Sequence, residues 1–128
     1  MDPIADMITH IKNAGNAGRE NVVVGYSNLK ADIAKVLKEG GFIKDFSKKS
    51  KGARHSLSLD LYIENRVPKI KGVKRISKAS KRIYKKHTEI RAIKNGYGML
   101  VLSTPKGVMA GHQARKEKLG GEALFSIW

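Results

Sequence analysis

Over the first forty residues the apolar positions recur at helical intervals. Ile4, Met7, Ile8 and Ile11 fall on one face of a helix, with Thr9, Lys12 and Asn13 opposite. Asp2-Pro3 supplies its start, an N-cap carboxylate followed by a residue with no N–H to leave unpaired, and Gly15 is expected to close it in a left-handed conformation. The β-branched run "NVVVGYS" predicts a strand. Ser27 is placed to cap a second helix whose stripe is Leu29, Ile33, Val36 and Leu37, ended by Gly40-Gly41. Lys30 lies in its first turn, where the helix dipole favours an acid, so the lysine is expected to face an external anion.

"FIKDF" reads as a strand and "SKKSKGAR" as a basic hairpin loop. The next segment alternates, with Leu57, Leu59, Leu61 and Ile63 on one side and Ser56, Ser58, Asp60 and Tyr62 on the other. Beyond it the pattern is strand-like in "VKRIS", "KRIYKK", "GMLVLS", "GVMA" and "EALFSIW", with a short helical turn around "TEIRAI". "HQARKEKL" predicts a short helix with Gly111 as its N-cap and Gly120-Gly121 after it. The expected fold class is α+β in two small domains. An N-terminal α-β-α-β-β unit would span 1–66, a basic linker 67–72, and a mostly β C-terminal domain with one short helix 73–128.

Charge changes this picture from a fold to a binder. The 128 residues carry 26 Lys and Arg against 11 Asp and Glu, a net charge of +15. Residues 44–95 hold 17 of the basic and four of the acidic side chains, and between Arg66 and Thr88 there are ten cations and no acid. A solvated basic face would account for a charge run. Here, however, Val67, Ile70, Val73, Ile76, Ile83 and Tyr84 punctuate it, which gives the segment anchors for packing. No strongly amphipathic basic helix accompanies the charge, so nucleic acid is favoured over a membrane surface. The opening residues carry no signal-peptide pattern and no apolar run reaches the roughly 20 residues that span a bilayer. The absence of cysteine excludes disulfides and thiolate metal sites. A soluble intracellular protein is expected.

Catalytic constellations are not apparent. His10, His55, His87 and His112 have no second ligand at helical spacing, Ser103 has no nucleophile-elbow context, no phosphate loop is present, and Gly96-Tyr97-Gly98 is too short for a dinucleotide fingerprint. Neither enzyme, metal, cofactor nor small-molecule substrate is expected. The stretch Ser103-Thr104-Pro105-Lys106-Gly107 ends an apolar strand in two hydroxyls and a lysine. Two readings fit it locally: a hairpin whose hydroxyls bond their own backbone, or hydroxyls and amides presented to the 2′-hydroxyls and base edges of RNA.

The blocks "DPIADMITHIKNA", "SNLKADIAKVLKEGGFI", "RISKASKRIY" and "NGYGMLVLSTPKGVMAGHQARKEKLGGEALFSIW" together resemble the bacterial ribosomal small-subunit protein number eight family. The resemblance implies a structural constituent of the small subunit that binds a helix in the central domain of 16S rRNA early in assembly, in the cytoplasm. It also implies neighbours in small-subunit proteins five and twelve, and repression of its own operon through an mRNA hairpin that mimics the rRNA site. Carried over by position, Ser103, Thr104, Lys106 and Gly107 would meet the RNA, with Gly121, Glu122 and Tyr84 beside them, and Lys30 with Thr9, Lys12 and Asn13 would contact the backbone from the first domain. Pro105 departs from the family's usual serine, Ala79-Ser80 from its Pro-Gly turn, Arg91 from its proline, and Gly111 from its usual helix cap.

Overall fold

The computed structural model describes residues 2–128. The fold is α+β, and the chain separates into two compact units, one of Pro3–Lys71 and one of Gly72–Trp128 that also includes Asp2.

The first unit runs α1 (Pro3–Asn16), β1 (Asn21–Gly25), α2 (Asn28–Glu39), β2 (Ile43–Lys51), β3 (Arg54–Leu61), β4 (Ile63–Glu64) and β5 (Val67–Pro68). Its antiparallel sheet has the order β1-β3-β2. Ile4, Met7, Ile8 and Ile11 of α1, Ile33, Val36 and Leu37 of α2, and Leu57, Leu59 and Leu61 of β3 are buried, as their periodicity requires. Leu29 departs from the expected stripe and stays 39% exposed. Ser27 caps α2, its hydroxyl accepting from the Lys30 N–H at 3.1 Å.

Both helices end in the same hydrogen-bond motif, α1 three residues later than Gly15 and α2 at the second glycine of the expected pair. Gly15 does not close α1. It is buried within the last turn, where a Cβ would stand 3.0 Å from Pro68, and the left-handed residue is Gly18 at φ +74°. Arg19 N–H then donates to the Ala14 carbonyl and Gly18 N–H to that of Gly15. In α2 the corresponding residue is Gly41 at φ +78°, with Phe42 N–H donating to Leu37.

Two strand predictions also shift. The basic stretch expected as a loop is mostly strand: β2 continues to Lys51, which pairs with Arg54 across a turn of only Gly52-Ala53. Ile63 does not extend β3, because the strand breaks at Tyr62 and restarts as a tight hairpin, β4 against β5. Asn65 and Arg66 both have positive φ, the doubly left-handed geometry that matches the twist of a two-residue hairpin. This hairpin occupies Val67–Pro68, the start of the stretch read as a linker.

The second unit runs β6 (Val73–Arg75), β7 (Tyr84–Lys85), β8 (Met99–Thr104), β9 (Gly107–Ala110), α3 (Gly111–Lys116) and β10 (Gly121–Ile127), with 3-10 turns at His87–Glu89 and Lys94–Gly96. The sheet order is β6-β10-β8-β9, and β7 also pairs with β10. On one face, Leu100, Leu102 and Ala123 pack with Ile90 and Ala114. Gly111 is the first residue of α3 and not its cap, which is Ala110. A Cβ at Gly111 would come within 3.1 Å of Ile90 and 3.2 Å of Leu100, so close packing explains the glycine. Gly72 and Trp128 exchange backbone hydrogen bonds of 3.1 and 3.0 Å, and the indole lies where a Gly72 side chain would be.

Candidate nucleic-acid interface

The tip of the β8–β9 hairpin is built by Thr104. Pro105 holds φ negative, so the two-residue loop cannot adopt the doubly left-handed turn, and the positive φ of +115° falls on Gly107 instead. The Thr104 hydroxyl donates to the Gly107 carbonyl at 2.8 Å and accepts from the Lys106 N–H at 3.2 Å. Thr104 is 8% exposed, so its hydroxyl is committed to the turn. Ser103 is half-buried, and its hydroxyl makes no hydrogen bond among the described residues. The two adjacent hydroxyls therefore divide the work: one shapes the turn and the other is available at its side. Lys106 and Gly107 are exposed at the tip.

Strand register adds Glu122 and Tyr84. Glu122 of β10 lies opposite Ser103 of β8 on one side and opposite Tyr84 of β7 on the other. Directly opposed residues of antiparallel strands project to the same face, so Tyr84, Glu122 and Ser103 form one row across three strands. Tyr84 is 69% exposed and lines a cavity of about 500 Å³ with Lys86 and His87.

Gly120 and Gly121 make this row possible. A Cβ on Gly121 would run into the Ser103 carbonyl oxygen, and one on Gly120 would stand 2.6 Å from the Lys85 carbonyl oxygen. The glycine pair expected to end α3 thus serves the start of β10. The motif that closes α3 has its left-handed residue at Lys118, a non-glycine residue at φ +57°, with Leu119 N–H donating to Ala114 and Lys118 N–H to Arg115.

The Glu122 carboxylate is tied to residues forty and more positions upstream. Its Oε2 accepts from the Ser77 hydroxyl and, at 2.9 Å, from Arg82 Nη1. Ser77 is fully buried, and its Oγ accepts from the Ile83 N–H at 3.1 Å. Burial pushes the Glu122 pKa up. The hydrogen bonds from Ser77 and Arg82 and the positive charges of Arg82 and Arg75 outweigh burial and hold the carboxyl below the ordinary glutamate value. Glu122 is thus an ionised acceptor anchored through one oxygen. Ser77 and Arg82 were not legible as site residues. The only sequence signal was Glu122 itself, since an acid in an apolar strand needs a partner, and spacing does not say which.

The remaining expected residues belong to the Pro3–Lys71 unit. Thr9, Lys12 and Asn13 are exposed on one face of α1, where Asn13 lines a cavity of about 580 Å³ with His10 and Arg19. Lys30 is half-buried in the first turn of α2, its Nζ 3.9 Å from where a Gly25 side chain would begin. Register and packing bring Ser103, Lys106, Gly121, Glu122 and Tyr84 together. The residues of α1 and α2 occupy separate positions in their own unit.

The family model for Ribosomal protein S8 matches residues 2–128. A small ribosomal subunit protein uS8 of Chloroflexus aurantiacus is 44% identical over 129 residues, covering 99% of this chain and 97% of the relative. One from an Anaeromyxobacter species is 45% identical over 128 residues with the same coverage, and one from Mycoplasma mobile is 41% identical over 127 residues, covering 99% and 96%. Similarity at this level takes in both units from end to end, the strand row and the α1 and α2 faces alike, and the chain belongs to the ribosomal protein S8 family.

Proposed function

We propose that the protein is a non-catalytic constituent of the small ribosomal subunit that binds a helix of the 16S rRNA central domain directly. The observation that carries this is the row Tyr84–Glu122–Ser103 beside the exposed Lys106 tip. Each member supplies a different element of RNA recognition. Tyr84 offers an exposed ring for stacking, Ser103 a hydroxyl that can both donate and accept, and Lys106 a phosphate contact. A carboxylate repels phosphate, so Glu122 at such a surface is suited to the donors of RNA, base amino groups and 2′-hydroxyls. Thr104 and Gly121 act by fixing the backbone on which these groups stand. The cations between residues 44 and 95, with Lys30, Lys12, Thr9 and Asn13, supply affinity along the backbone without reading sequence.

In this reading the protein works in cytoplasmic ribosomes, joins the rRNA early, and supports the subunit platform near small-subunit proteins five and twelve. A hairpin in its own operon mRNA that reproduces the rRNA contacts would compete for the same row. The test is binding of Ser103→Ala and Glu122→Gln proteins to a central-domain rRNA fragment and to an unrelated RNA duplex of equal length. Both variants are expected to lose affinity for the fragment by about 1–3 kcal/mol while duplex binding stays unchanged. Equal loss on both RNAs, or none, would remove the row from recognition.

A further inference from the structure

The Pro3–Lys71 unit carries a second aromatic and cationic constellation that shares no residue with the row on β7, β10 and β8. Tyr62 interrupts the sheet between β3 and β4 and leaves its ring 38% exposed. The backbone bond from the Lys69 N–H to the Tyr62 carbonyl (3.0 Å) extends the β4–β5 hairpin by one pair, and so sets Lys69 directly across from Tyr62. Lys44 approaches from β2. The two ammonium groups stand over the Tyr62 ring, Lys69 Nζ at 5.0 Å and Lys44 Nζ at 5.6 Å from its centre.

These residues line a cavity of about 690 Å³ together with Val67, Pro68 and Lys71. That size is within the roughly 300–1,000 Å³ of small-ligand sites. Glu64 is the one acid in its lining, against three lysines. Among the described residues the ion pairs are Lys38–Asp45, Arg75–Asp2 and Arg82–Glu122, so none of the three lysines is neutralised by a carboxylate. A ring quadrupole attracts a cation but does not cancel its charge, so like charges held around one ring leave a site for an anion. The doubly left-handed turn at Asn65-Arg66 fixes the hairpin that holds Tyr62 and Lys69 together, so the site is preorganised.

We infer that this pocket takes one unpaired nucleotide of RNA, its base against Tyr62, Val67 and Pro68 and its phosphate between Lys44 and Lys69. The inference rests on the RNA-binding reading above and adds to it a single-stranded contact in the other unit. A paired base cannot reach the ring, so the pocket selects bulged or single-stranded nucleotides over duplex.

The experiment uses the full chain and a short oligouridylate containing 4-thiouridine, with the central-domain rRNA fragment measured in parallel. Photocrosslinks are expected at the 62–69 hairpin. Tyr62→Ala and the double variant Lys44→Gln/Lys69→Gln are expected to weaken oligouridylate binding about tenfold, while Tyr62→Phe, which keeps the ring, stays within about twofold. Melting curves of all variants should match the parent. The inference is overturned if Tyr62→Ala binds as tightly as the parent, or if duplex RNA or polyglutamate competes the crosslink as well as single-stranded RNA does, the latter pointing to an acidic protein segment. If Ser103→Ala weakens the rRNA fragment while every Tyr62 and lysine variant is silent, only the pocket assignment fails. If the parent binds neither RNA, both readings fail.

Discussion

Glycines in this chain that look alike in sequence do different work, and substitution separates them. At Gly121 the obstacle to a side chain is the Ser103 backbone, which cannot move without breaking the β8–β10 pairing. Gly121→Ala is therefore expected to lower stability by about 3 kcal/mol or more in chemical denaturation. At Gly18 nothing lies within 4 Å and the obstacle is only φ +74°, so Gly18→Ala should cost about 1–2 kcal/mol. The converse case is Lys118, which holds φ +57° without being glycine. Lys118→Gly should stabilise the protein by roughly 1 kcal/mol, read as a rise in melting temperature.

At the scale of elements, the segment from Ser77 to Ile83 is held to β10 by backbone bonds at its two ends, Ser77 N–H to the Ala123 carbonyl and Ala123 N–H to that of Ile83, and by the Glu122 carboxylate. Glu122 has its pKa depressed in the folded protein, so its contribution is complete above the ordinary glutamate value of 4.5 and fades as pH falls through the lower folded value. Acid melting of the parent should therefore steepen below about pH 4.5, and Glu122→Gln should flatten that part of the profile. Asp45 is lowered in the same direction, by a hydrogen bond from Lys38, another from the Phe46 N–H and the Lys38 charge, but it is fully exposed. The elements also show where sequence is informative. The stripes of α1 and α2 and the alternation of β3 were legible because one side of each is apolar. The polar half of β2 was not: Ser47 through Lys51 are exposed, so no alternation marks them as strand, and pairing with β3 alone makes them so. The tip at Thr104 was legible as a hairpin but not the division between its hydroxyls, which depends on the φ that Pro105 denies and Gly107 takes. Tyr62 read as the outward side of a strand and gave no sign of a break there.

For the whole molecule, the proposed function divides the labour: the charge of +15 would govern how strongly RNA is held, and the row on β7, β10 and β8 would govern recognition of the rRNA helix. Neutralising Lys30, or a cation of the 66–86 segment such as Lys81, should reduce the slope of log K against log salt by about one for every RNA tested. Ser103→Ala should leave that slope unchanged. A separate consequence follows from the position of β10 inside its sheet. It pairs with β6 and β7 on one edge and β8 on the other, yet it comes after all of them along the chain. During synthesis the Pro3–Lys71 unit has every one of its strands long before the second unit has its central one. The second unit can therefore assemble only after residue 127 has emerged, and until then β8 keeps an unpaired edge. A nascent chain paused before Gly120 would hold a folded first unit and a basic, unstructured second half in which the Tyr84–Glu122–Ser103 row does not yet exist.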